Sequence, residues 1–418
     1  MNIELITIGT ELLLGLTVDT NGADVARSLA AHGIRVTRRT SVPDRAEEIR
    51  AAVSEALQRT GAVLTTGGLG PTRDDITKKV VADLFAAPLE FDDSVWGSLL
   101  ARFARLDRKP PESNRSQAEV PRGATVLPNR WGTAPGLWLE GQPGLVIMLP
   151  GVPLEMRNLL EHEVVPRLIP RGSQAVIRSL LVRTSGIPES SLAELVGEVE
   201  REIAPVTLAY LPGLEGVDLR LSAWELTPEE ADRRLQAAAF LLRERAGINA
   251  YGNGESDLAA LVLDEARSRG LRLAVAESCT GGLIGVRLTE VPGSSEVFVG
   301  GVIAYDNAVK VNLLGVSEAL LAEHGAVSEP VAGAMAEGAV RRFGVDGAIS
   351  ITGVAGPAGG SAEKPVGTVW LGCALNGTVE TRRVLFPGTR PEIRARAAQA
   401  GLFLLYRRLS TSGRPGQG

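Results

Sequence analysis

A serine and a cysteine stand side by side in Ala276-Glu277-Ser278-Cys279-Thr280-Gly281-Gly282, where a short apolar run gives way to a helical pattern. A hydroxyl at such a corner can attack a carbonyl carbon, with amides at the helix start facing the oxyanion. Taken alone, the segment fits an ordinary capped helix with closely packed glycines equally well. Cys279 is the rival nucleophile, being adjacent and intrinsically more reactive. Either needs a base, and the three histidines (His32, His162, His324) are too scattered for a Ser-His-Asp triad. Lysine substitutes for histidine when burial or a neighbouring cation lowers its pKa. Lys310, after Tyr305-Asp306-Asn307-Ala308-Val309, is the candidate, although by itself it reads as a solvated surface lysine. Arg390 in Pro387-Gly388-Thr389-Arg390 could meet a phosphate. The loop from Thr352 and Gly353 to Pro357 could approach a ligand through bare backbone.

A second set of residues follows two early apolar runs. Gly9-Thr10-Glu11 comes after the first, and Gly67-Gly68-Leu69-Gly70-Pro71-Thr72-Arg73-Asp74-Asp75 after another. Glycines there allow backbone to approach a phosphate, and Asp74 with Asp75 could hold a hard cation. The same residues also suit a turn and a helix N-cap. No GxxxxGK[ST] run occurs, which excludes Walker-type nucleotide binding.

The elements that must position these groups alternate between strand and helix. In the first 170 residues, Ile3–Ile8, Ile34–Val42, Ala62–Thr66 and Leu145–Leu149 read as strands. Asn21–His32, Ala46–Gln58 and Val152–Leu168 read as helices, so the spacing predicts a mainly parallel sheet covered on both faces. After a break at Pro170-Arg171-Gly172-Ser173, a small βαββα unit is expected over 174–251: Ala175–Thr184, Pro188–Ile203, Thr207–Leu211, Val217–Glu225 and Pro228–Arg245. Tyr251-Gly252-Asn253-Gly254 marks a second break. From 254 to 410 the alternation returns, ending in a helix Pro391–Leu409 and a tail from Ser410 expected to be disordered.

Composition narrows the function class. With 418 residues, 44% hydrophobic and 22% charged, the chain is long enough for two to four globular domains. A net charge of −5 gives no overall attraction for nucleic acid. Two distant cysteines exclude a disulfide framework or a cysteine zinc site. No stretch reaches the ~20 apolar residues of a membrane span, and the start shows no secretory pattern, so a cytoplasmic location is expected.

Read in order, AESCTGG, PGSS (292–295), GGVIAYDNAVK (300–310), HGAVSEPVA (324–332), ITGVAGPAGGSAEKPVGTVW (351–370) and FPGTR (386–390) resemble the C-terminal domain of the CinA (competence- and damage-inducible) family. The resemblance implies a deamidase that converts nicotinamide mononucleotide (NMN) to nicotinate mononucleotide and ammonia, without a cofactor. It assigns Ser278 as nucleophile and Lys310 as base, with Tyr305 in substrate binding or proton relay. Thr280, Gly281 and Gly282 are expected to meet the oxyanion, Thr352 and Gly353 to line the site, and Arg390 to meet the phosphate.

The loops at Gly9–Gly15 and Thr65–Asp75, with NRSQA (114–118), GTAPG (132–136) and LPGVP (149–153), resemble the same family's first domain, which is akin to molybdopterin-binding MoaB/MogA proteins. The implied fold is a three-layer α/β/α domain, followed by a KH-like middle domain and an α/β deamidase domain. The resemblance associates the first domain with hydrolysis of ADP-ribose. It implies Glu11, Gly67, Gly68, Gly70, Thr72, Asp74 and Asp75 as its site, and a divalent or monovalent cation on Asp74 and Asp75. Small nucleotides, not nucleic acid or membrane, are the expected partners, and a homodimer the expected assembly. Gly213-Leu214-Glu215-Gly216 resembles the KH signature, but it falls between two expected strands and carries an acid, so it reads as a hairpin turn. Two alternatives stand beside the deamidase: a molybdopterin adenylyltransferase using the first domain, and a non-catalytic competence protein.

Overall fold

The computed structural model describes residues 1–172 and 176–411. They form two compact units, Met1–Arg178 with Ala223–Arg233, and Ser179–Ser222 with the chain from Arg234 on. The expected linker residue Ser173 and strand start Ala175 lie outside the described residues. So does the tail from 412, whereas Ser410 and Thr411 continue the last helix.

In the first unit, β1 (Asn2–Ile8), β2 (Arg35–Val42), β3 (Ala62–Thr66), β6 (Thr125–Leu127), β7 (Gly136–Gly141) and β8 (Gly144–Leu149) form one sheet in the order β2-β1-β3-β8-β7-β6. The first four are parallel and the last two antiparallel. A separate ribbon pairs β4 (Leu89–Phe91) with β5 (Glu119–Pro121). Side chains of the central strands supply two cores. Ile6, Ile8, Val63, Val146 and Met148 pack on the helix Ala46–Thr60 through Ile49 and Val53. Ile3, Leu5, Leu64 and Ile147 pack on Asn21–Ala30 and the helical stretch 153–168. The result is the expected three-layer α/β/α domain. One acid enters the sheet: Glu4 is buried, and Arg59 holds it by two hydrogen bonds of 2.7 and 2.8 Å, well below the usual carboxylate range.

The middle segment is a four-stranded sheet in the order β10-β11-β9-β12, from β9 (Val176–Thr184), β10 (Thr207–Pro212), β11 (Val217–Leu226) and β12 (Ala250–Asn253). Its long helix is Pro228–Ala246, and the helix expected over 188–203 breaks at Gly197 into Glu189–Val196 and Val199–Glu202. Tyr251-Gly252-Asn253, read from sequence as a linker, is instead the edge strand β12, paired antiparallel with β9. Buried Tyr251 anchors it.

The last segment is a five-stranded sheet, β14-β13-β15-β16-β17, from β13 (Leu273–Glu277), β14 (Phe298–Ile303), β15 (Gly347–Gly353), β16 (Thr368–Leu375) and β17 (Thr378–Leu385). The first three are parallel and the other two antiparallel. Helices Leu258–Ser268 and Arg390–Thr411 cover one face, Asn307–Leu314 and Glu329–Phe343 the other. Among the described residues no helix is long and apolar enough to cross a membrane.

Candidate functional site

Both sheets have a switch point, where successive connections leave a strand toward opposite edges. The crevice beyond the carboxyl ends of the strands opens there. In the C-terminal sheet it lies between β13 and β15, and β13 ends directly at Ser278. The Ser278 amide donates to the Ile351 carbonyl at 2.9 Å, and its carbonyl accepts from the Gly281 amide at 3.1 Å, closing a tight turn. Gly281 and Gly282 have φ of +61 and +98, a left-handed backbone that glycine tolerates without strain.

Two charged side chains lock this turn. The buried Glu277 carboxylate accepts from the amides of Gly282 (3.0 Å), Ile284 (3.2 Å) and Gly285 (2.9 Å) at the start of helix Leu283–Thr289. Arg394 donates to the carbonyls of Cys279 (3.1 Å) and Thr280 (2.8 Å). Five charge-assisted hydrogen bonds therefore fix a seven-residue corner. Sequence reasoning gave neither residue a role. The available signal was an acid just before a glycine-opened helix, and a second arginine one helical turn after Arg390.

The lock redistributes the donors. The Gly282 amide is committed to Glu277 and the Gly281 amide to Ser278, which among the described residues leaves Thr280 as the uncommitted amide of the Thr280–Gly282 turn. Ser278 is 9% exposed, and its hydroxyl has no hydrogen-bond partner among the described residues. Cys279 faces the other way, into the core with Leu273, Ile284 and Ile351. Burial pushes its thiol up to about 12, so it holds little of the reactive thiolate near neutrality. The Thr280 hydroxyl is buried and likewise unpartnered.

Lys310 is not a surface lysine. It is 1% exposed, on the helix Asn307–Leu314 that Asp306 caps through the Ala308 amide at 2.7 Å. The sequence reading missed this helix, and its packing on Glu329–Phe343 draws the lysine inward. Lys310 Nζ donates to the carbonyls of Ala304 (2.7 Å) and Tyr305 (3.2 Å). Burial lowers its pKa, against the opposing influence of Asp306 and of the nearby Cys279. Among the described residues no hydrogen bond joins the amine to Ser278.

Tyr305 and Arg390 meet at the open side. Arg390 donates to the Gly356 carbonyl at 2.7 Å and to the Tyr305 hydroxyl at 3.0 Å, and Tyr305 is 62% exposed. Thr352 is buried, and its hydroxyl is occupied by the Ala326 carbonyl at 2.8 Å, so it ties down the loop before helix Glu329–Phe343. Gly353 lies against β16, where a Cβ would come within 2.8 Å of the Thr368 carbonyl.

In the first unit the switch point lies between β1 and β3, above a cavity of about 360 Å³. Glu11, Gly67, Gly68, Gly70, Asp74 and Asp75 line it, as do Asp44 and Glu155, which sequence reasoning did not single out. Thr72 does not; its amide and hydroxyl donate to Asp75 at 2.8 and 2.5 Å. Gly67 has φ +106, a Cβ there would come within 2.1 Å of the Ile8 carbonyl, and its amide is given to Leu149. It is present for close approach of backbone, which leaves residues 68–70 to face a ligand. Burial raises the Glu155 carboxyl, with Asn129 donating to it at 2.5 Å. Among the described residues no three His, Cys, Asp or Glu side chains gather closely enough to hold a metal ion. Five carboxylates line the cavity, with no lysine or arginine among the lining residues.

A three-part α/β chain with one polar corner at each sheet's switch point is therefore the class of protein at hand. Family models agree segment by segment: a probable molybdopterin binding domain matches residues 4–169, the damage-inducible protein CinA KH domain 179–252, and the CinA C-terminal domain 255–409. A CinA-like protein of Gemmatimonas aurantiaca is 54% identical over 412 residues, covering 97% of this chain and 96% of that one. Another, from Salinibacter ruber, is 43% identical over 412 residues, with 98% and 100% covered. A crystal structure of competence damage-inducible protein A from Klebsiella pneumoniae is 36% identical, with a TM-score of 0.36, covering 37% of this chain and 96% of that one. The chain belongs to the CinA family.

Proposed function

We propose that the C-terminal domain hydrolyses the carboxamide of NMN to the carboxylate, releasing ammonia. The observation that carries this reading is the state of Lys310. A neutral amine has two N–H groups and one lone pair, and the carbonyls of Ala304 and Tyr305 take two donors. Lowered basicity favours that neutral form, whose lone pair is then left to accept the Ser278 hydroxyl proton. Ser278 Oγ bonds to the carboxamide carbon while its proton passes to Lys310. The oxyanion falls to the uncommitted Thr280 amide. Collapse expels ammonia with the proton returned by Lys310, and water then cleaves the acyl-enzyme ester by the same relay. Tyr305 and Arg390 at the open side suit the ribosyl phosphate. The test is ammonia release from NMN by the full chain. Protein that leaves NMN intact removes the reading.

A second reading is favoured for the first unit by its five carboxylates around a cavity without a lining cation. A diphosphate such as that of ADP-ribose would be repelled there unless a cation came with it. One or two carboxylates with substrate phosphates is how Mg²⁺ is ordinarily held, and Asp74 and Asp75 fit that role. The cation would neutralise the phosphates, while residues 68–70 present backbone to them. Release of AMP from ADP-ribose is expected to require added Mg²⁺ or Mn²⁺ and to stop with chelator. Turnover unaffected by chelator would reject this reading.

A further inference from the structure

The Gly213-Leu214-Glu215-Gly216 turn has no part in either corner, yet it is firmly built. Gly213 donates to the Gly216 carbonyl at 2.8 Å, and Gly216, with φ +147, lies so near β9 that a Cβ would come within 1.9 Å of the Thr184 carbonyl. Thr184 and Ser185 hydroxyls donate to the carbonyls of Val217 (2.6 Å) and Glu215 (3.2 Å). Braced in this way, the turn forms one wall of a cavity of about 720 Å³ within the second unit. The opposite wall comes from β16, β17 and helix Arg390–Thr411, and its apolar surface from Leu371, Val384, Phe386 and Phe403. That volume lies inside the ~300–1,000 Å³ range of small-molecule sites.

Exposed Arg382 and half-buried Arg396 line the cavity together with two acids, Glu189 and Glu215, and among the described residues neither arginine stands at salt-bridge distance from an acid. Arg396 Nε is buried with no hydrogen-bond partner, an arrangement that is costly until an acceptor arrives. The acids nearby are engaged or solvated. Glu215 pairs with Arg183 at 2.7 Å and Arg287 at 3.8 Å, and Glu392, one turn before Arg396 and attracted to it, accepts from Thr389 at 2.6 and 2.7 Å. Glu189 is solvent-exposed. The unmet Arg396 N–H, with Arg382 also lining the wall of an apolar, aromatic-bearing cavity, complements a ligand with a flat apolar body and one anionic group.

We propose that this cavity binds one small aromatic anion, of the aryl phosphate, sulfonate or carboxylate class. The proposal stands apart from the deamidase reading and survives its failure.

The probe is anilinonaphthalene sulfonate, titrated into the full chain and followed by fluorescence. Saturable binding at one per chain is expected, with affinity about tenfold weaker in Arg396→Gln and in Arg382→Gln, each losing a charge-assisted contact. Leu214→Glu, at an exposed turn position, puts a carboxylate at the wall without touching the core and should weaken binding comparably. Uncharged phenyl-naphthylamine should bind the wild type and the arginine variants alike. Phenyl phosphate should displace the sulfonate, and inorganic phosphate should not. Several dye molecules per chain, or an affinity that both arginine variants leave within about twofold, would overturn the proposal and place the dye on exposed apolar surface such as Leu13–Val18. Equal displacement by inorganic phosphate would overturn the aromatic requirement.

Discussion

In the first unit the connections leaving the paired strands β1 and β3 run toward opposite edges of the sheet, and in the last segment those leaving β13 and β15 do the same. Each switch point is filled by a glycine-bearing loop that leads from a strand toward a helix, so the backbone solves one problem twice. The side chains then differ in sign. At the Ser278 turn Arg394 holds two carbonyls and Arg390 meets Tyr305 at the open side, while the buried acid, Glu277, is spent on three amides. Around Gly67–Asp75 stand five carboxylates and no lining cation. On the proposed functions, topology sets where each ligand would sit, and the charge of the corner decides whether an anionic substrate would enter alone or with a metal ion.

The largest break between the corners comes from Ser278→Ala. Ammonia release from NMN should fall by roughly four orders of magnitude, with the first unit's reactions untouched. Cys279→Ala should stay within roughly tenfold of wild type, because burial leaves that thiol largely protonated. A reversed ranking in a single-turnover assay would move the nucleophile to the cysteine.

Lys310→Met should lower kcat by about 10²–10⁴-fold, the usual worth of a positioned base. In the wild type, kcat/KM should rise with pH along a limb set by the lowered Lys310 pKa, thus below the ordinary 10.5, and this limb should vanish in the variant. A flat wild-type profile would remove Lys310 from the proton path.

Arg390→Gln should raise KM for NMN by about 10–100-fold with a smaller change in kcat. Nicotinamide riboside, which lacks the phosphate, should not distinguish variant from wild type. Equal losses on both substrates would assign Arg390 to holding the Gly356 loop instead.

Glu277→Gln should lower kcat about tenfold while KM moves by less than about twofold, because it loosens the turn rather than removing a substrate contact. To the three backbone N–H donors the amide presents one acceptor oxygen, whereas the carboxylate presents two. A pure KM effect would contradict this positioning role.

The smallest effect is on stability. Lys310 has a folded pKa below its unfolded one, so between the two values the unfolded chain binds the extra proton and stability rises with pH. Below that window the wild type carries the full penalty of burying an ammonium. Lys310→Met should therefore melt higher than wild type at neutral pH, as read by thermal unfolding of the two proteins. The difference should shrink as pH approaches 10.5.

Strands with long apolar runs were legible because burial on both faces leaves a continuous signal: Ile3–Ile8, Ala62–Thr66 and Leu145–Leu149 differ from the observed strands by at most one residue at an end. Short elements were not. The helices Thr77–Leu84, Asp93–Ala104 and Asn307–Leu314 escaped, the last because asparagine and lysine interrupt an apolar pattern of only eight residues. β12 looked like a linker because Tyr-Gly-Asn has the composition of a turn, and only pairing with β9 makes it a strand.

By itself the sequence determined the order of the three segments, their α/β alternation, and which hydroxyl, amine and guanidinium stand near loop ends, since periodicity and motif spacing are local properties of the chain. Tertiary structure alone decided that Lys310 is buried and not solvated, that Cys279 turns into the core, and that Glu277 and Arg394 consume the polar groups of the corner. The same holds for the carboxylates of Asp44 and Glu155, which join a cavity from distant parts of the chain. The physical reason is common to all of these. Desolvation and hydrogen-bond competition depend on which groups the fold brings together, and no spacing along one segment encodes that.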